Sequence, residues 1–188
     1  MEKIDVFDFD KTLYEKDSTI QFYLFSLKKN KKIIKYWPIQ ITYFILYKLK
    51  IVKKIVFKEK FFSFLKVISN VDEYIEEFWK QNKKYIRMKL LEKSKNKKYV
   101  ISASPEFLLE DICKDLGIER TIASEVDKKN GKFFSPNCYG KEKVTRLRQL
   151  DKDIKIENFY TDSKSDNYLA SIADNSFLIK NNQIGSFF

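Results

Sequence analysis

Near its start the chain carries a short apolar run that stops at a pair of carboxylates. No other stretch limits the possible folds as much. Ile4, Val6 and Phe7 lead straight into Asp8, Phe9, Asp10, Lys11, Thr12 and Leu13. A run of this length suits a buried strand. Acids at its end lie where open α/β sheets bind ligands, at the carboxyl edge. Asp8 and Asp10, two apart, share a strand face or point from the following turn into one crevice. Carboxylates this close repel unless a proton or a cation intervenes. A hard divalent cation held through oxygen, such as Mg2+, is the simplest answer. The plain alternative is a solvated acidic turn.

Further short apolar runs end in the same way. Tyr99, Val100 and Ile101 lead to Ser102, Ala103, Ser104 and Pro105. Residues 121–123 read as a third strand, residues 154–160 as a fourth ending at Thr161 and Asp162, and residues 176–179 as a last parallel strand with a short tail. Helices are predicted between them, over residues 106–116 up to Gly117, 141–150 after Gly140, and 166–173. A hairpin is expected over residues 125–138, turning at Asn130 and Gly131. Strands alternating with helices imply a doubly wound parallel sheet. In that topology the polar strand ends converge on one crevice.

Residues 14–98 read as helical throughout, without glycine and with Pro38 as the one proline. Ser18 and Thr19 can cap a first helix, Pro38 suits the first turn of a second, and a helix from Val71 is predicted to run to about Leu91. Over residues 49–60 a helical wheel puts Leu49, Ile51, Val52, Ile55 and Val56 on one side. Lys50, Lys53, Lys54, Lys58 and Lys60 fall on the other, with Phe57 the exception. This is a basic amphipathic pattern, whose apolar side packs inward or rests on anionic lipid.

The chain's net charge of +11 is unevenly placed. Residues 14–98 hold 22 Lys and Arg against 8 Asp and Glu, while the rest holds 15 against 18. A basic surface favours phosphorylated substrates, nucleic acid or an anionic membrane; the competing reading is a lysine-rich composition. Histidine is absent, which removes Ser-His and Cys-His nucleophile pairs and ordinary zinc sites. Neither Cys113 nor Cys138 has arginine six residues on, where Glu119 and Val144 stand, so a Cys-x5-Arg phosphatase is excluded. Two cysteines make no disulfide framework. The N-terminus shows no signal-peptide pattern and no apolar run is long enough to span a bilayer. The expected location is the cytoplasm, with the basic segment able to meet the inner face of a membrane.

Four motifs in order resemble the haloacid dehalogenase (HAD) superfamily: Asp8, Asp10 and Thr12 after a strand, Ser102 ending a second strand, Lys143 opening a helix, and Asp162 and Asp166 after a third strand. The helical segment between the first two motifs resembles the phosphoserine-phosphatase-like branch, subfamily IB. Ser102 to Pro105, Asn137 to Val144 and Tyr160 to Asn167 are similar to phosphatidylglycerophosphatase C-type enzymes. The resemblance implies a HAD-like Rossmannoid sheet, with residues 1–13 and 99–188 as catalytic core and residues 14–98 as a helical cap.

It also implies a Mg2+-dependent phosphatase. Asp8 would be the nucleophile that becomes aspartyl-phosphate, and Asp10 the general acid and base. Mg2+ would be held by Asp8, the Asp10 carbonyl and Asp162. Ser102 and Lys143 would hold the phosphoryl group, with Thr12 bracing the loop and Asp166 orienting Lys143 or a metal-bound water. The resemblance implies that the lysine of the Glu142-Lys143-Val144 triplet is the functional one, so Lys143 is preferred over Lys141; Leu147 and Leu150, which follow it at helical spacing, agree. Lys11 has no assigned role. The expected substrate is an anionic small molecule or lipid phosphate such as phosphatidylglycerophosphate, with an anionic membrane surface as a partner of the basic cap. The alternative is a soluble phosphoserine, sugar phosphate or nucleotide; weak activity on phosphoserine is expected, because the cap's one arginine, Arg87, lies far along it. The remote alternative is a non-catalytic basic binding module, and nucleic acid is not an expected partner.

Overall fold

The computed structural model describes residues 3–180 and 183–188. Met1 and Glu2, at the head of the expected core, and residues 181–182 in its tail lie outside them. The six strands are β1 (Lys3–Phe7), β2 (Lys97–Pro105), β3 (Arg120–Ser124), β4 (Lys155–Thr161), β5 (Ala173–Lys180) and β6 (Gln183–Ser186). They form one sheet in the order β3-β2-β1-β4-β5-β6. All neighbours are parallel except β5 and β6. β6 is a departure from the expected short tail: it folds back antiparallel on β5 and covers what would otherwise be an open edge.

The alternation of β1 divides the interior. Ile4 and Val6 face a layer that includes Leu147, Leu169 and Ala170. These come from α7 (Lys141–Leu150) and α8 (Asn167–Ala170). Phe7 faces the other layer, with Leu108, Leu109 and Ile112 of α6 (Glu106–Asp115) and the aromatics of the helical segment. Phe7 stacks on Tyr160 and Tyr160 on Phe177, each with ring centroids 4.9 Å apart. Three adjacent strands are thereby keyed together beneath the acidic edge.

Between β1 and β2 lie α1 (Ser18–Lys29), α2 (Trp37–Lys48), α3 (Lys54–Phe61), α4 (Val71–Asn82) and α5 (Met88–Glu92). The chain leaves the sheet and returns to it side by side. The Glu15 amide donates to the Tyr85 carbonyl at 3.0 Å and the Arg87 amide to the Leu13 carbonyl at 2.8 Å. A cluster of Phe9, Tyr14, Phe22, Phe78 and Trp79 fills the space behind this junction.

Several predicted elements are redrawn. α1 is capped by Asp17, whose carboxylate accepts the Ile20 amide at 2.9 Å, while Ser18 is buried inside the first turn. The helix expected over residues 49–60 does not form as one piece. α2 stops at Lys48, Lys50 adopts a positive φ of 60°, and α3 begins at Lys54. A left-handed residue ends a helix whatever the side-chain pattern on either side. The helix from Val71 ends at Asn82, and a short 3-10 turn and the pairing at residue 86 precede α5. The helix expected over residues 166–173 shrinks to a 3-10 turn and α8, because β5 starts already at Ala173. The hairpin over residues 125–138 forms at its tip, turning at Asn130 and Gly131 as expected, with Val126 and Phe133 in an antiparallel bridge and the Asp127 amide donating to the Lys132 carbonyl at 2.8 Å, while residues 135–138 are loop.

Candidate active site

The register of the sheet builds the site. Phe7 lies beside Val100 on one side and Tyr160 on the other, and the Asp8 amide donates to the Tyr160 carbonyl at 2.8 Å. Asp8 thus emerges at the carboxyl edge between the ends of β2 and β4, where Ser102 and Asp162 also stand. Asp10 follows in a loop turned sharply by Lys11, whose φ of 59° is uncommon for a residue with a Cβ.

α7 brings the cation. It starts at Gly140, whose φ of 60° and ψ of −125° suit glycine alone, and Lys143 sits in its first turn. The Lys143 ammonium lies 2.8 Å from Asp8 Oδ1 and 2.9 Å from Asp166 Oδ2, buried with both. Asp166 Oδ2 also accepts the Thr161 hydroxyl at 2.8 Å. Burial alone would lower the Lys143 pKa, but Asp8 and Asp166 overcome it and hold the lysine protonated, above its ordinary range. One ammonium cannot neutralise two buried carboxylates. Burial accordingly pushes Asp8 up to about 7 against the pull of Lys143, with Asp166 and Asp10 adding to the rise. Lys141 is exposed, as is Leu150, which was expected on the inner face; Arg146 takes that inner position and donates to the Ala123 carbonyl at 2.7 Å.

Asp10 is held on both oxygens. Oδ1 accepts the Ser18 amide at 2.7 Å and Oδ2 accepts a short hydrogen bond from the Ser104 hydroxyl. Burial, with the charge of Asp17 nearby, pushes its pKa up to about 6. Ser102 is buried, and its Oγ accepts the Ser104 amide at 3.1 Å. Thr12 holds the loop through its main chain: its carbonyl accepts Arg87 at 2.6 Å, whereas its buried hydroxyl has no partner among the described residues. Asp162 is partly buried at the rim near Lys11, and burial raises its pKa.

The geometry adds residues that sequence reasoning left out. The sequence pattern puts Lys58 of α3 on the polar side of its helix. It instead reaches the sheet edge and donates to the Ala103 carbonyl at 2.7 Å and Asn137 Oδ1 at 2.6 Å. Burial and the neighbouring Lys54 lower its pKa to about 8. A cleft of about 250 Å³ between α3 and the Asp10 loop is lined by Asp10, Asp17, Ile20, Lys54, Phe57, Lys58 and Ser104. Ser104 stands two residues beyond Ser102, but the register of β2 breaks between Ile101 and Pro105, so strand alternation alone does not place it in the site. Lys58 gave no local signal, because only tertiary packing directs it inward. Cys113 and Cys138 are free and buried, with burial pushing their thiols up to about 12 and 11. Neither offers a thiolate.

The donor set fits a Mg2+ ion. Asp8, Asp10, Asp162 and Asp166 gather more negative charge than Lys143 offsets, and the Asp10 carbonyl accepts no backbone hydrogen bond among the described residues. Among those residues no three or more carboxylates or thiols are grouped so as to bind an ion by themselves. Mg2+ commonly takes one or two carboxylates and completes its shell with water and phosphate.

Solved structures share this architecture. A protein of unknown function from Bordetella pertussis Tohama I superposes with a TM-score of 0.74 at 18% identity, over 94% of this chain and 89% of that one. A phosphoserine phosphohydrolase-like protein from Francisella tularensis subsp. tularensis SCHU S4 gives 0.59 at 18% identity, over 97% and 88%. A phosphoserine phosphatase structure described as a phospho-aspartyl intermediate analogue gives 0.55 at 18% identity, over 93% and 85%. No curated protein matches the sequence. The profile of haloacid dehalogenase-like hydrolases matches residues 6–171, from the first strand through α8 and just beyond, and the chain belongs to that family.

Proposed function

We propose that this chain is a Mg2+-dependent phosphomonoesterase working through an aspartyl-phosphate. The observation that carries the reading is the buried bridge of Lys143 between Asp8 and Asp166, set beside Asp10 and Ser102 at the carboxyl edge. Membership of a hydrolase family and the likeness to a phosphoserine phosphatase solved as a phospho-aspartyl analogue support it.

Asp8 is the nucleophile. Its oxygen bonds to phosphorus as the bond to the leaving alcohol oxygen breaks, and Asp10 gives that oxygen a proton. Water then attacks the acyl phosphate, Asp10 takes the proton, and phosphate leaves with Asp8 restored. The hydrogen bonds from Ser18 and Ser104 keep the Asp10 carboxyl aimed at the cleft. Lys143 and Ser102 hold phosphoryl oxygens, and Asp166 with Thr161 fixes the lysine. Asp8, the Asp10 carbonyl and Asp162 would hold Mg2+, which would supply charge neutralisation between nucleophile and phosphate.

Residues 14–98 act as a cap on a core of residues 1–13 and 99–188, and the cap selects the substrate. Lys54 and Lys58 beside Phe57, Phe61 and Ile20 suit an anionic headgroup joined to an apolar body, in keeping with a lipid phosphate such as phosphatidylglycerophosphate. The likeness of three motifs to the phosphatidylglycerophosphatase C type, within the phosphoserine-phosphatase-like branch, supports the same choice. A soluble substrate is the second reading, favoured by the structural neighbours named for phosphoserine. Against it, Arg87 donates to the Lys11 and Thr12 carbonyls and is engaged in holding the loop.

The test is Mg2+-dependent phosphate release from phosphatidylglycerophosphate in mixed micelles, beside phosphoserine, sugar phosphates and nucleotides, with Asp8→Asn as control. Turnover of the lipid, lost in the variant, is expected. Turnover of a soluble ester alone keeps the mechanism and removes the lipid. No turnover of any ester sinks the enzyme reading.

A further inference from the structure

We propose that the outer face of α2, with the turn that follows it, seats the protein on an anionic lipid surface. α2 reads Trp37, Pro38, Ile39, Gln40, Ile41, Thr42, Tyr43, Phe44, Ile45, Leu46, Tyr47 and Lys48, apolar on nearly every side. A helix of that kind belongs in an interior or in lipid. Only one side of this one is covered by the protein. Gln40 is buried and bonded to the Tyr23 hydroxyl and the Phe61 carbonyl, and Tyr47 stacks on Phe57. The opposite side stands in the open: Ile41, Ile45 and Leu49, at i, i+4 and i+8, are 55%, 50% and 64% exposed, and Ile51 in the turn is 65% exposed. Trp37, Phe44 and Ile34 are also exposed. The polar atoms nearby are turned inward, with the Thr42 hydroxyl donating to the Pro38 carbonyl at 2.8 Å and the Trp37 indole to the Tyr23 hydroxyl at 2.9 Å. An apolar ridge this continuous is unusual on a monomer and marks a binding face.

Charge identifies what covers it. Residues 18–70 contain twelve lysines, no arginine and one acid, Glu59. Glu59 points away from the ridge, its carboxylate accepting the Phe133 amide at 3.1 Å. Lys31, Lys32 and Lys35 precede α2, Lys48 ends it, and Lys50 and Lys53 follow it. None of these six has an ion-pair partner among the described residues, whereas Lys29 nearby binds Glu77. An apolar ridge with lysines at both ends matches an anionic bilayer, whose acyl region takes the ridge and whose headgroups take the ammonium groups. A second copy of the chain would bring the same lysines face to face across a two-fold contact. Nucleic acid would leave the isoleucines uncovered. Among the described residues no helix is long and apolar enough to cross a membrane, and the twelve residues of α2 lie along the surface instead.

The seat deepens the phosphatase reading and rests on it only for its use. Phe57 contacts both Phe44 and Tyr47 of α2 and also lines the cleft that holds Asp10. The apolar wall of the cleft therefore continues into the seated face. A lipid phosphate can enter headgroup first while its chains stay in the bilayer.

The experiment is co-sedimentation of the full chain with phosphatidylcholine vesicles, with and without phosphatidylglycerol, at low and high salt. Binding is expected only with the anionic lipid, and weaker at high salt. The double variant Ile45→Glu, Leu49→Glu, at exposed positions, should bind about tenfold more weakly or worse while hydrolysing a soluble phosphate ester at the wild-type rate. Asp8→Asn should bind vesicles unchanged, so a failure of the seat and a failure of the phosphatase reading are seen separately. The proposal is overturned if the wild type ignores anionic vesicles at low salt or the double variant binds them equally. It is also overturned by a dimer that the double variant splits, or by duplex DNA binding in preference to vesicles.

Discussion

Lys143 is the residue on which most depends. Its ammonium separates two carboxylates that are otherwise buried and like-charged. Lys143→Met should therefore cost about 3–5 kcal/mol of stability, the range seen when one partner of a buried pair is removed, read as a lowered urea midpoint. Adding Asp166→Asn should restore part of that loss without restoring phosphate release. An unchanged midpoint in Lys143→Met would mean that the trio is not closed in solution. Lys58 makes the opposite case. Burial beside Lys54 holds its pKa near 8 against the ordinary 10.5, with Asp10 and Asp17 countering only part of the fall. Between those two values the unfolded chain binds more protons at this position than the folded one, so folded stability rises with pH across the window. Measured against Lys58→Met, in which the other lysines cancel, the wild type should gain melting temperature from pH 8 to 10.5. A flat difference would place Lys58 in solvent.

At the level of elements, legibility followed locality. The strands leading to Asp8, Ser102 and Asp162 and the helix opening at Lys141 were readable because each is specified by its own run of residues, although β2 runs on past Ser102 to Pro105. The break between α2 and α3 was not, since apolar and basic residues alternate across it at uninterrupted helical spacing and only the left-handed Lys50 marks the turn. β6 escaped for a related reason: four exposed residues carry no burial pattern and owe their conformation to β5. The inward path of Lys58 depends on Asn137, in a loop 79 residues away in sequence that Arg146 fastens to the sheet through Ala123 and Pro136. Gly131 shows how tightly that loop meets the helical segment. Its φ is 78°, and a Cβ there would stand 2.5 Å from the Phe62 Cβ and 2.7 Å from the Phe62 carbonyl carbon. Gly131→Ala should thus lower stability by about 1–3 kcal/mol, strain and overpacking together, measured by chemical denaturation. A neutral outcome would show that the loop can withdraw from Phe62.

For the molecule as a whole, metal and fold should be linked. An ion that binds the folded chain alone raises its stability by mass action. Mg2+ is expected to raise the thermal midpoint of the wild type, and less so that of Asp162→Asn. Chelation should stop turnover while leaving the circular dichroism of the sheet and helices intact. Loss of secondary structure on chelation would make the ion a structural component rather than a catalytic one. The side-by-side exit and return of the chain at residues 13–15 and 85–87 also bears on how the molecule assembles. β1 must find β2 across an intervening stretch of about ninety residues, an unfavourable search for an open loop. Once the helical segment has closed on itself at that junction, the open length falls to about twenty residues. The entropy of pairing the two central strands is then eased by about 1.3 kcal/mol. If the helical unit gathers before the sheet's middle closes, mutations loosening the junction should slow refolding more than they speed unfolding, and the reverse partition would place the strand pairing first.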